Sequence, residues 1–269
     1  MRKSGLLLLA LPFIIISCQK EVNEIIAENE PACRVTMGHY YGGGGMHDSA
    51  RFTYDASGRL VSWENMDGEY VYTYDGDRIR TRVYRENSGQ VWNIDSVRYN
   101  ADNTLSEIVF YDVSGTYGPD TIHTKVIFFY DGSRVSQTKT VDYYDYGMGP
   151  ETDTSTSTFT WSATGNIEKI RFVNTGYLTF DDSVLYRYDN NPNYFKAIHP
   201  HFFLFDPELQ LQTGFETQLA FFYSRNNVSN INVYGTWDYP ISYGIDSTNK
   251  VTSLDMGGFP YVSYEYECD

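Results

Sequence analysis

The stretch Phe52-Thr53-Tyr54-Asp55-Ala56-Ser57-Gly58-Arg59-Leu60-Val61-Ser62-Trp63 decides the fold. Residues two apart in an extended chain share a face, so Phe52 and Tyr54 lie on one side and Thr53 on the other. Asp55 is a residue type that accepts hydrogen bonds from turn amides, and Gly58, three places on, suits a left-handed backbone. Leu60 then opens a return strand, and the whole stretch reads as a β-hairpin. Leu60 and Trp63 are three apart, which breaks strict alternation. A β-bulge after the turn would send both inward, and the short, β-branched return segments argue against a helix.

The aromatic-x-aromatic-Asp phrase recurs along the chain. Copies are Phe52-Thr-Tyr54-Asp55, Tyr72-Thr-Tyr74-Asp75, Val97-Arg-Tyr99-Asn100, Phe128-Phe-Tyr130-Asp131, Phe159-Thr-Trp161-Ser162, Tyr186-Arg-Tyr188-Asp189 and Phe221-Phe-Tyr223-Ser224, with Tyr243-Gly-Ile245-Asp246 and Tyr264-Glu-Tyr266-Glu267 as degenerate forms. Longer turns carry Gly or Asn three residues after the opener (Gly58, Asn103, Gly165, Asn249). Gly76-Asp77 and Gly132-Ser133 suit two-residue primed turns. The return strands repeat the three-residue spacing in Leu60/Trp63, Leu105/Ile108, Ile167/Ile170, Val228/Ile231 and Val251/Leu254. The expected fold is all-β, an antiparallel meander of about nine hairpins and roughly sixteen to eighteen strands. Of the chain's 45 aromatic residues only Phe13 precedes Cys18, and almost no amphipathic helix is available to cover the rest. The sheet is therefore expected to curl into a closed or nearly closed barrel with the rings inside.

Met1 to Ser17 reads as a signal peptide, with Arg2 and Lys3 ahead of the apolar stretch Leu6 to Ile16, which is too short to span a bilayer. Ile15-Ile16-Ser17-Cys18 resembles the lipobox of bacterial lipoproteins, which implies acylation of Cys18; the alternative is an ordinary secretory signal with an incidental cysteine. Residues 18–31 are polar and acidic and read as a tether, leaving 32–269 as the repeat domain. Gln19, directly after the anchor, resembles an outer-membrane sorting residue, and Lys20-Glu21 weakly resembles a surface-export signal. The expected location is the outer membrane, on its cell-surface or periplasmic face. Cys33 and Cys268 remain as an even pair in an oxidising compartment. Bonded, they would make the first and last strands neighbours; the alternative is two unpaired thiols.

The net charge is −15, and removing Arg2 and Lys3 with no acid alongside them leaves −17, which excludes nucleic acid as a partner and disfavours anionic headgroups. Tyr54-Asp55-Ala-Ser-Gly58-Arg59-Leu60 resembles the YD repeat of Rhs and Tc-toxin shell proteins. With its lipobox, the chain resembles more closely the uncharacterised YD-repeat-like lipoproteins of Gram-negative gut bacteria. That resemblance covers about residues 50 to 266 and implies a barrel-like domain without an assigned activity. Asn191-Pro192-Asn193-Tyr194-Phe195 and Ser224-Arg225-Asn226-Asn227-Val228 resemble phrases of the same group.

Nothing in the sequence marks a catalytic residue, a metal site or a cofactor. His199-Pro-His201 lacks a third ligand at a recognisable spacing, and Gly42 to Gly45 lacks the Lys-Ser/Thr of a phosphate loop. Residues 192 to 216 read as an insertion capping one barrel mouth. Asp48-Ser, Asp95-Ser, Asp120-Thr and Asp182-Ser read either as Asp-Ser/Thr-apolar sites of bacterial O-glycosylation or as strand starts. Tyr143, Tyr144 and Tyr146 in one expected loop, and Trp237 and Tyr239 in another, suit stacking on sugar rings. The leading reading is a non-enzymatic binding or scaffold lipoprotein with a glycan, a peptide or an envelope protein as partner. The alternative is a hydrolase using two carboxylates in a cleft. A membrane-spanning barrel is disfavoured, because the residues opposite the aromatics are mostly polar.

Overall fold

The computed structural model describes residues 33–41, 47–113, 121–145, 150–175, 179–193, 219–221, 223–248 and 250–268. Residues 34–267 form one compact unit; the other comprises 1–33 and 268–269, where the described residues Cys33 and Cys268 are joined by a disulfide. The signal, Cys18, the tether, Gly42 to Gly45, Tyr146, His199 and His201 lie outside the described residues, as does most of the 192 to 216 insertion.

The strands in order are β1 (Cys33–Tyr41), β2 (His47–Tyr54), β3 (Leu60–Glu64), β4 (Gly68–Asp75), β5 (Arg78–Glu86), β6 (Val91–Tyr99), β7 (Leu105–Asp112) and β8 (Thr121–Asp131). They continue as β9 (Arg134–Asp145), β10 (Pro150–Trp161), β11 (Ile167–Asn174), β12 (Phe180–Pro192), β13 (Asn226–Val233), β14 (Trp237–Ile245), β15 (Val251–Met256) and β16 (Phe259–Cys268). Each pairs with its sequence neighbours, and β1 also pairs with β16, so the meander closes into a barrel of sixteen strands.

Among the described residues the sixteen strands make eight hairpins, not the nine expected from the repeats. Eight aromatic phrases end in the even-numbered strands β2 to β16, whereas Phe221 and Tyr223 of the remaining phrase are helical. The reason is closure: β13, which follows that phrase, pairs directly with β12 and β14, and a closed ring has no free edge for another strand. Leu219, Ala220 and Phe221 are instead buried in the core.

The three-residue spacing of the return strands is resolved by bulges. Thr53 pairs with Ser62 but Tyr54 with Leu60, leaving Val61 as the extra residue, and the same shift recurs between Tyr74 and Ile79, Tyr99 and Leu105, and Trp161 and Ile167. It recurs again between Tyr188 and Val228 and between Ile245 and Val251. Both apolar residues of each pair thereby face inward, and Ile167 and Ile170 are each 0% exposed.

An aromatic of several phrases, the second in Tyr74, Trp161 and Tyr266 and the first in Tyr243, then ties one repeat to the one before it. Tyr74 Oη donates to the Leu60 carbonyl (2.6 Å), Trp161 Nε1 to Val135 (2.7 Å), Tyr243 to Val228 (3.0 Å) and Tyr266 to Val251 (2.6 Å). These carbonyls belong to the first inward residue of the neighbouring return strand, where the bulge disrupts the ladder, so the side chain supplies a partner that the backbone lacks. Arg59, Arg78 and Arg134, each just before that residue, lie over the rings of Tyr74, Tyr99 and Trp161 at 4.8, 5.6 and 5.4 Å.

Turn chemistry follows the residues. The Asp55 carboxylate accepts the Ser57 and Arg59 amides, both at 2.9 Å, and Asp246 accepts those of Thr248 (2.8 Å) and Lys250 (3.0 Å). Hydrogen bonds from the Arg59 and Lys250 amides are the largest cause holding these carboxyls below their ordinary range. Because their folded-state pKa is depressed, their stabilisation is present at neutral pH and is lost as pH falls through the folded value. The thermal midpoint is expected to fall on acidification, and Asp55→Asn with Asp246→Asn to flatten that fall. An unchanged acid limb in melts recorded against pH would show that the turn carboxylates do not set it.

A round barrel of this strand number leaves an aqueous channel in porins. Here Ile79, Ile108, Val184 and Ile231 point inward at 0% exposure, and the buried residues form one core cluster drawn from strands all round the ring. Side chains fill the lumen at this level. The outer wall is mostly polar, with Phe129 and Leu185 as exposed exceptions: β10 turns Thr156, Thr158 and Thr160 outward, and ion pairs join Arg51 to Glu64, Arg98 and Lys125 to Glu107, and Arg171 to Asp181. A lipid-facing barrel has the reverse arrangement.

Candidate functional site

An antiparallel ring with an even number of strands returns both chain ends to the same rim. On this proximal rim lie the turns after each phrase, the start of β1, the end of β16, and the long connection between β12 and β13. The distal rim carries the β9–β10 and β13–β14 connections, and near it lie Tyr143, Tyr144, Trp237 and Tyr239.

Those aromatics are strand residues rather than loop residues. Tyr143 and Tyr144 belong to β9, where Tyr143 pairs with Thr152. Trp237 and Tyr239 belong to β14 and pair with Val233 and Ile231, the intervening turn being Tyr234-Gly235-Thr236. The polar loops are shorter than composition suggested because the cross-strand ladder extends each strand to the edge of its turn. Trp237 is 56% exposed and Tyr239 packs against the core. Tyr143 has the outward parity of its strand, opposite to that of buried Thr138, and β9 and β14 are five strands apart in the ring. Tyr143 and Trp237 therefore share a rim but not a face, and these two do not form one stacking platform.

Across the inner face, Trp63, Tyr70 and Tyr84 are direct register partners on β3, β4 and β5 and stack with ring centroids 4.5 and 4.6 Å apart. Gly68 makes room for this row, since a Cβ there would lie 2.1 Å from the Arg85 carbonyl and 2.8 Å from the Tyr84 ring. Beneath it Arg82 pairs with Asp95, and the guanidinium lies 5.0 Å from the Tyr70 centroid. Burial pushes the Asp95 carboxyl up against the pull of Arg82, whereas Asp95 holds Arg82 protonated against its own burial. The two directions oppose each other on whether the pair is ionised, and the short Nε···Oδ2 contact favours the ion pair.

Asp48, Asp95 and Asp182 share inward parity, with Ser49, Ser96 and Ser183 outward; Asp120 lies outside the described residues. Asp95 sits mid-strand, so the strand-start reading fails for it, while Asp48 and Asp182 do lie near the beginnings of β2 and β12. Asp142 and Asp153 are cross-strand partners on the inner face, but Thr124 Oγ1 donates to the first (2.7 Å) and Asn174 Nδ2 to the second (3.0 Å). On the outer wall His39 contacts Ser49 Oγ through Nδ1 and Glu265 Oε1 through Nε2, both at 2.8 Å. This Ser–His–Glu chain crosses from β16 over β1 to β2 on a flat sheet face and clasps the closing seam. Among the described residues no cluster of three or more His, Cys, Asp or Glu side chains could hold a metal.

A concave feature among the described residues lies near the proximal rim, between the turn after β10 and the junction of β12 and β13. It has a volume of about 320 Å³, opens to solvent, and is lined by Glu168, Arg187, Tyr188, Asp189, Asn190 and Asn226 among others. Its floor is a buried polar knot. Asn166 Oδ1 accepts the Arg225 and Asn226 amides, both at 2.9 Å, and its Nδ2 donates to Asn226 Oδ1 (3.1 Å). Ser224 Oγ, fully buried, accepts the Ile167 amide (3.0 Å) and bonds the Tyr188 hydroxyl (2.8 Å). Asn193 Nδ2 donates to the Ser224 carbonyl (2.9 Å) and Asn226 Nδ2 to that of Asn191 (3.0 Å). The two Asn-rich phrases of the sequence thus meet here. Sequence reading noticed the phrases but not the groove, because its walls come from segments some sixty residues apart, as the Asn166–Asn226 separation of 60 shows.

No protein-family model matches the chain, and no curated protein matches it. Its fold is similar to that of porin-like proteins. A porin-like protein from Bacteroides uniformis ATCC 8492 aligns with a TM-score of 0.51 and 11% identity over 87% of this chain and 98% of that one. A second, from Bacteroides vulgatus ATCC 8482, aligns with a TM-score of 0.50 and 12% identity over 88% and 99%. At these identities the likeness is one of fold alone. A third solved chain, described as TcdB2-TccC3-TEV, gives a TM-score of 0.37 over 82% of this chain and 12% of that one, too low to carry an argument.

Proposed function

We propose that the protein is a lipid-anchored, non-enzymatic binding or scaffold module of the outer envelope, held to the membrane through Cys18. The observation that carries this reading is the inside-out polarity of the barrel relative to a pore. Its outer wall is mostly polar and ion-paired, and its lumen is packed with Ile and Val. Such a barrel is stable in water, so its tie to a membrane comes from elsewhere in the chain, and the lipobox supplies one. The porin-like fold of the Bacteroides neighbours supports an envelope location, and the recurring hairpin phrase supports kinship with YD-repeat-like lipoproteins. Both ends of the barrel chain lie on the proximal rim, which leaves the distal rim, with exposed Trp237, facing away from the anchor and open to an envelope-protein partner.

Metabolic labelling with an alkyne fatty acid tests the anchor. Label is expected on the wild-type protein, and Cys18→Ala should abolish it and move the protein to the soluble fraction. A wild-type chain that stays unlabelled, or a Cys18→Ala chain that still sediments with membranes, would overturn the proposal.

A further inference from the structure

Resting on the reading of a binding module, the groove between β10, β11, β12 and β13 points to the ligand class: we infer that it is a saccharide-binding site for a neutral, hydroxyl-rich ligand. Three observations converge. The cavity, at about 320 Å³, lies at the lower end of ordinary ligand pockets and has room for a sugar unit. Its lining offers a guanidinium (Arg187), two carboxylates (Glu168, Asp189) and an amide (Asn190), with Tyr188 at its base tied by its hydroxyl to Ser224. Carboxylates and amides accept from adjacent sugar hydroxyls, and the guanidinium donates to ring and hydroxyl oxygens.

The walls are also pre-formed. Asn166, Ser224 and Asn193, each buried, spend their hydrogen bonds on holding the strand ends and the 224–226 backbone in place. Glu168 and Arg187 stay on the exposed side of their strands, and Glu168 is the extra residue of the bulge between Trp161 and Ile167. The bulge therefore aims a charged side chain into the groove, a use that bulges commonly serve. A rigid site avoids the entropy of ordering its own walls, which suits ligands that contribute little apolar area. With the chain at −15 overall and two carboxylates in the lining, an anionic ligand is disfavoured, so a neutral saccharide fits better than a uronate or a phosphate.

The test uses the lipidated mature chain in detergent, titrated calorimetrically with neutral hexasaccharides of glucose, mannose and xylose and, as a contrasting class, with short peptides. Binding of at least one saccharide is expected. Glu168→Gln combined with Arg187→Ala should weaken it by roughly tenfold to a hundredfold, the scale for losing hydrogen bonds to charged groups. Both positions are exposed, so the melting midpoint should hold, and Trp237→Ala on the distal rim should leave the affinity unchanged. Saccharide binding untouched by the groove variants but lost in Trp237→Ala would overturn the groove while leaving the binding-module reading intact. Peptide binding in the groove, or no saccharide binding by a chain that is demonstrably lipidated on Cys18, would overturn the ligand class.

Discussion

Replacing Cys33 and Cys268 with serine is expected to lower the unfolding midpoint of the mature protein by on the order of 10 °C, more than any single surface change. The disulfide closes a loop of 235 residues. Constraining a loop that long in the unfolded chain is worth about 5 kcal/mol in the chain-entropy model, an upper-end figure. For a chain of this size each kcal/mol moves the midpoint by roughly 2 to 4 °C. The native state adds its own reason: β1 and β16 are the first and last strands of the ring. Besides the bond at their ends, the seam carries side-chain hydrogen bonds such as His39–Glu265 and Tyr41–Ser263, and β1 and β16 contribute Val35, Val262 and Tyr264 to the core. Without the bond, the seam can fray and expose two strand edges, so the double-serine protein should also associate at high concentration. Melts of the oxidised, reduced and double-serine proteins, with their sedimentation, check both parts. Equal midpoints for all three would mean that the side-chain seam alone closes the barrel.

Asp95→Ala is expected to destabilise the barrel by about 3 to 5 kcal/mol, the usual cost of leaving one member of a buried ion pair alone. The Asp95 side chain is 3% exposed and that of Arg82 14%, and Arg82 occupies the second inward position of its return strand, where the other repeats place Trp63, Ile108 or Ile170. Arg82→Met with Asp95→Leu should recover most of the loss, because it removes two desolvated charges and restores the apolar pattern. Chemical unfolding of the two variants against wild type measures both terms. A loss under about 1 kcal/mol for Asp95→Ala would show that water or the neighbouring tyrosines solvate the stranded guanidinium. The comparison also separates stability from specificity. If the apolar double variant is as stable as wild type, the ion pair is kept for what it does at that wall rather than for holding the wall up.

Much of the architecture is legible in the residues because the signals are local. Alternation of Phe52 and Tyr54 about Thr53 sets the faces, Asp55 and Gly58 set the turn, and the Leu60/Trp63 spacing announces a bulge that the Tyr54–Leu60 register then shows. Each depends on backbone geometry within about a dozen residues, which sequence encodes directly. The number of hairpins was not legible in the same way. Phe221-Phe-Tyr223-Ser224 has the pattern of a strand, but Phe221 and Tyr223 are helical, since whether a strand pairs depends on a free edge, and closure of the ring removes it. The aromatics Tyr143 and Trp237 were found, but not that they occupy different faces five strands apart. The polar groove was not visible at all, because Glu168, Arg187 and Asn226 become neighbours through cross-strand register and the Asn166 and Ser224 hydrogen bonds. Period, turn chemistry and cysteine parity belong to the chain itself. Strand count, which phrase forfeits its strand, and where charged side chains converge are settled only when the ring closes, because each of these is a long-range pairing whose energy no local segment contains.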